Sequence, residues 1–133
     1  LLDRIDIHVE APAVPFKELS RSARGDTPPP KPGESTADMR EKVQAARERQ
    51  SARQGPLTPN ARLSGKQLDK LAKLDERTMT LLGDAMTQLH LSARAYDKIR
   101  RVSRTIADLD ASEDVRESHI LEAIQYRLLD RKT

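Results

Sequence analysis

The tightest constraint on this chain is a helical apolar rhythm that recurs in three successive segments of its second half. Met79, Leu82, Met86 and Leu89 are spaced i, i+3, i+7, i+10, which puts them on one face of a helix. Ala95, Ile99, Val102 and Ile106 form a second stripe, and Ile120, Ala123, Ile124 and Leu128 a third. The segments open with residues that cap helices. Asp75 and Ser92 precede the first two stripes, and Ser64 with Gln67 makes a capping box before a shorter helix that turns Leu68, Leu71 and Ala72 inward. Short connections favour a compact bundle. Residues 64–133 are therefore expected to be a small all-α domain. Its last helix should run from about Arg116 to Leu129, and its core should hold Leu82, Met86, Ile99, Val102, Ile106, Ile120 and Ile124.

The first half reads differently. Residues 36–54 form a helix capped by Ser35 with Asp38, but its apolar stripe is thin: Met39, Val43 and Ala46. Arg40, Lys42, Arg47, Arg49 and Arg53 outnumber Glu41 and Glu48 on it. A loop follows over 55–63, where "GPLTPN" breaks the helix. Residues 15–35 are a Pro-rich linker, since four of the eight prolines fall within 28–32. In residues 1–14, Ile5, Ile7 and Val9 alternate with Asp6, His8 and Glu10, the period of a half-buried strand. No second strand is evident downstream. This strand is expected to be an orphan of a preceding domain, and loose here. The chain also begins without Met, which fits a piece of something longer.

Composition removes several function classes. There is no Cys, hence no disulfide framework or thiolate metal site. No apolar run approaches a membrane span, and the cytoplasm is the default location. "SGKQ" at 64–67 lacks the upstream Gly and the hydroxyl of a phosphate loop. His8, His90 and His119 are far apart in sequence, so no metal role is assigned. Tyr96 and Tyr126 do not form a base-stacking platform. A net charge of +3 and a pI near 9.4 permit a polyanionic partner without requiring one.

The arginines remain. Arg94, Lys98, Arg100, Arg101 and Arg104 all follow the Ser92 cap. The plain reading of such a run is a solvated helix face. Arg94 is the exception, because it sits in the first turn, where the helix dipole favours anions over cations. There a guanidinium beside open N–H groups completes an anion pocket suited to a phosphate.

Taken in order, "LLDRIDIHVEAP", "REKVQAARERQ", "LSARAYDKIRRVSRTIADLD" and "HILEAIQYR" closely resemble the C-terminal region of the magnesium-chelatase-related AAA+ ATPases of the ComM/YifB type. The resemblance covers nearly the whole chain; the Pro-rich stretch is its least characteristic part. It implies that residues 1–14 are the last strand of an absent ATPase core, 36–54 a helical insertion and 64–133 the helical lid. It also implies that Arg94 is the sensor-2 arginine touching the γ-phosphate of ATP, and that Arg4 is the arginine finger reaching a neighbouring subunit's site. ATP and Mg2+ would then belong to the full-length protein, and this chain alone is expected to bind neither and to be inactive.

Three functions are weighed. The first is the lid of a hexameric DNA motor of ComM type, acting in branch migration during natural transformation, with Arg40, Arg47, Arg49 and Arg53 as candidate DNA contacts. The second is the motor of a magnesium chelatase that remodels a partner protein. The third is a stand-alone helical binding module, in which residues 1–14 would be ordered against the bundle. The chain by itself is expected to be monomeric.

Overall fold

The computed structural model describes residues 4–9 and 35–127. The linker over 15–34, the outer parts of the expected strand, and Leu128 and Leu129 lie outside the described residues. Among the described residues there are five helices and no strand: α1 (Thr36–Gln54), α2 (Gly65–Leu71), α3 (Glu76–Gln88), α4 (Ala93–Leu109) and α5 (Glu117–Gln125), with a 3₁₀ turn at Asn60–Arg62.

The helix starts are where the capping chemistry places them. Ser35 Oγ accepts from Asp38 N at 3.1 Å, Asp75 Oδ1 from Thr78 N at 2.7 Å and Ser92 Oγ from Ala95 N at 3.2 Å. At α2 the box is complete: Ser64 Oγ accepts from Gln67 N, and Gln67 Oε1 accepts from Ser64 N. Helix α5 begins without such a cap; His119 Nδ1 instead accepts the Arg116 N–H at 2.9 Å. At the other ends, Gly55 closes α1 with φ +90°. Ala111, after α4, has φ +56°, with Ser112 N donating back to Ala107 O at 2.8 Å.

Helix α4 is the axle of the bundle. It touches α1, α2, α5 and the 3₁₀ turn. Around it Leu63, Leu68, Leu82, Ile99, Ala107 and Ile120 are fully buried, with Ala123, Ile124 and Val115 close behind. Leu82, Ile99, Ile120 and Ile124 are thus core residues as the periodicity predicts. Met86, Val102 and Ile106 are only half-buried, packed on the rim. For Val102 and Ile106 the reason is a rotation of α4. Its buried line runs through Ala95, Ile99, Ser103 and Ala107, flanked by Arg100, Arg104 and Asp108. A helix with neighbours on several sides buries more than its apolar stripe, and small or paired polar residues take the closest contacts.

Helix α1 lies along α4, although its apolar stripe does not hold it there. Only Ala46 is buried, while Met39 and Val43 are about half-exposed. Helix α5 is shorter than the expected 116–129 span. It ends at Gln125, and the Tyr126 carbonyl accepts the His8 backbone N–H at 2.7 Å. Residues 4–9 pair with no strand among the described residues. They lie against the bundle: His8 is buried, and the Arg127 guanidinium donates to Ile5 O.

Candidate functional site

The five cations of α4 part company once the helix is in place. Arg94 is exposed on the first turn, next to the Ser92 cap. Lys98, one turn on, donates to Asp6 Oδ1 at 2.5 Å and to Arg4 O at 3.2 Å. Arg100 is buried; it pairs with Asp69 at 2.5 Å, and its guanidinium carbon lies 5.0 Å from the Tyr96 ring centre. Arg101 Nε donates to Leu63 O at 2.9 Å. Arg104, only 2% exposed, clips three chain carbonyls, those of Leu71, Ser112 and Glu113, and pairs with Asp108. The run is therefore not a solvated face. Lys98, Arg100, Arg101 and Arg104 fasten α4 to its surroundings, and Arg94 lies exposed on the first turn.

Asp108 is the centre of a buried polar cluster. Its side chain has no solvent exposure and accepts from Arg53 Nη1 at 2.8 Å, Arg53 Nη2 at 3.0 Å, Asn60 Nδ2 at 2.8 Å and Arg104 Nη2 at 3.1 Å. Burial pushes the Asp108 carboxyl up. The hydrogen bonds from Arg53 and Asn60 and the charges of Arg104 and Arg53 outweigh it and hold the group below its ordinary value of 3.8. Burial lowers Arg104 from 12.5, and Asp108 offsets part of that. Arg49 adds a bond from Nη1 to Asp108 O at 3.3 Å. This cluster, not apolar area, seats α1 on α4.

The candidate DNA contacts consequently separate. Arg40 and Arg47 are exposed on the outer surface of α1. Arg53 is spent on Asp108 and Asn60, and Arg49 leans on the same cluster. Arg4 is exposed, and its backbone is joined through Lys98 to the helix that carries Arg94. Among the described residues no group of three His, Cys, Asp or Glu stands together as metal ligands, and no helix is long and apolar enough to cross a membrane.

Sequence reading missed Asp108, Asn60 and Asp69. One signal was available for Asp108. Arg100, Arg104 and Asp108 fall at i, i+4, i+8 beside the line of Ile99, Ser103 and Ala107. A charged row alongside an apolar one on the same helix suggests buried pairing.

An all-helical bundle built around one arginine-rich helix, with a basic helix strapped to it, is the class of domain described here. The family described as magnesium chelatase, subunit ChlI C-terminal, matches residues 33–127, and the chain belongs to that family. It is 39% identical over 130 residues to the competence protein ComM of Haemophilus influenzae. It is 38% identical over 130 residues to the YifB proteins of Escherichia coli and of Salmonella typhimurium. These alignments cover 98% of this chain but 24% of each relative, so the chain spans about a quarter of the length of the curated relatives it matches.

Proposed function

We propose that this chain is the C-terminal lid region of a ComM-like AAA+ ATPase, in which Arg94 senses bound nucleotide and the ring's turnover drives DNA remodelling. The observation that carries the reading is the place of Arg94, exposed on the first turn of α4 beside the Ser92 cap. A guanidinium beside a helix start is matched to a phosphate, because the fork and the dipole favour the same charge. ATP would supply the phosphoryl group and Mg2+ would neutralise it; their main binding residues belong, on this reading, to the part of the protein that the longer relatives contain and this chain does not. Arg4 would serve the adjoining subunit's site. The affinity for DNA would rest on Arg40 and Arg47 rather than on Arg49 and Arg53.

Two other readings compete. The family's name supports a motor that remodels a chelatase partner. The docking of residues 4–9 is what a stand-alone module would have, though relatives about four times as long favour a larger machine.

The test is steady-state ATPase of the full-length protein, with and without branched DNA, for wild type and Arg94→Ala. DNA-stimulated turnover that Arg94→Ala abolishes supports the DNA motor. Turnover that needs Arg94 but ignores DNA favours the chelatase-type role. Turnover indifferent to Arg94→Ala removes the sensing role altogether.

A further inference from the structure

We infer that Lys98 is a positioning residue that links Arg4 to Arg94, so that the two arginines move as one unit; the inference rests on the reading of both as phosphate-facing groups. Lys98 lies one helical turn after Arg94, on the same face of α4. Its ammonium grips residues 4–9 twice, through Asp6 Oδ1 at 2.5 Å and through the carbonyl of Arg4 itself at 3.2 Å. The Lys98 side chain is 17% exposed and that of Asp6 55%, so the pair lies at the surface with its lysine end sheltered.

A second attachment stops the segment from pivoting about that point. Arg127, 1% exposed, donates to Ile5 O, and Tyr126 O accepts from His8 N at 2.7 Å. The segment is therefore held by α4 on one side and by the turn after α5 on the other. A change in the angle of α4 is transmitted to the Arg4 backbone through a short chain of ionic and backbone bonds.

Two measurements separate the linkage from the function it is proposed to serve. In this chain, the His8 amide should exchange slowly with deuterium in wild type. Exchange should speed up by roughly tenfold, the kinetic equivalent of about 1.4 kcal/mol, in Lys98→Glu. The double variant Lys98→Glu with Asp6→Lys should restore part of the protection, because the ion pair is rebuilt with its signs reversed while the carboxylate has no proton to donate to Arg4 O. A His8 amide that exchanges at the unprotected rate in wild type, or a double variant no better protected than Lys98→Glu, overturns the linkage. In the full-length protein, Lys98→Glu should lower kcat roughly tenfold with little change in KM for ATP, and Asp6→Lys should rescue part of that loss. Rescue from the far side of the contact is not expected if Lys98 merely stabilises α4. If Arg94→Ala abolishes turnover while Lys98→Glu leaves it at the wild-type level, the coupling is refuted and the sensing role survives. If Arg94→Ala has no effect, the sensing role and the coupling both fall, and the exchange data still judge the contact.

Discussion

Replacing Asp108 by alanine removes the acceptor on which four hydrogen bonds from Arg53, Asn60 and Arg104 converge. The consequences for the two arginines differ. The Arg53 side chain is 22% exposed and can regain water; the Arg104 side chain is 3% exposed and cannot. Removing one partner of a buried pair costs about 3–5 kcal/mol, because a charge is left uncompensated. Arg104 keeps its carbonyl partners at Leu71, Ser112 and Glu113, so the loss should fall near the lower end, at about 3 kcal/mol. Small domains have about 5–15 kcal/mol in total, so the variant should be visibly weakened. Urea unfolding followed by circular dichroism should move the midpoint down by about 1 M or more, given slopes of about 1–3 kcal/mol per M. Asp108→Asn should lose most of the same stability, since its amide turns a donor towards donors. The pH dependence follows from the depressed folded-state carboxyl. Its contribution is complete above the unfolded carboxyl's ordinary value of about 3.9 and is lost as pH falls through the lower folded value. The gap between wild type and Asp108→Asn should thus be flat near neutrality and close as pH falls below the ordinary carboxylate value. A loss below about 1 kcal/mol, the size of an exposed ion pair, would refute the claim that this cluster seats α1.

Other outcomes follow from single features. Ala111→Gly should stabilise the chain by about 1 kcal/mol in thermal melts, because Ala111 holds φ +56° at the end of α4; a lower melting temperature contradicts that. Ser92→Ala should cost about 1 kcal/mol by removing the acceptor for Ala95 N, while Ser92→Asp should cost little; equal losses in the two would show that the cap is not the cause. In the full-length protein, Arg40→Glu with Arg47→Glu should weaken DNA binding and flatten its salt dependence, measured by fluorescence anisotropy across a salt series. An unchanged salt slope would take DNA off this helix.

The helices were legible because capping and periodicity are local. Ser35, Ser64, Asp75 and Ser92 each lie within three residues of the N–H they accept. Three of the seven expected core residues proved to be rim, and for the two on α4 the reason is one the periodicity did not carry. Val102 and Ile106 are apolar and correctly spaced, yet α4 meets neighbours on several sides, and the tightest contacts go to Ser103 and Ala107. The candidate site divides the same way. Arg94 stood out because a cation in a first turn is unfavourable by itself. The burial of Arg100 and Arg104 did not stand out, because their partners come from other elements: Asp69 lies 31 residues from Arg100, and the Leu71 carbonyl 33 from Arg104.

The sequence by itself determined where helices start, that the domain is all-α, and that Arg94 occupies a first turn. Each is set by interactions within about one turn of chain, which residue order alone specifies. Only the tertiary structure decided which cations are fasteners and which face outward. It also decided that α1 is seated by Asp108 rather than by Met39 and Val43, and that residues 4–9 rest on Lys98, Tyr126 and Arg127. Those outcomes depend on desolvation and on partners brought close by packing. A lysine or arginine has the same chemistry in water wherever it falls in the chain, and its role is fixed only when folding chooses the acceptor beside it.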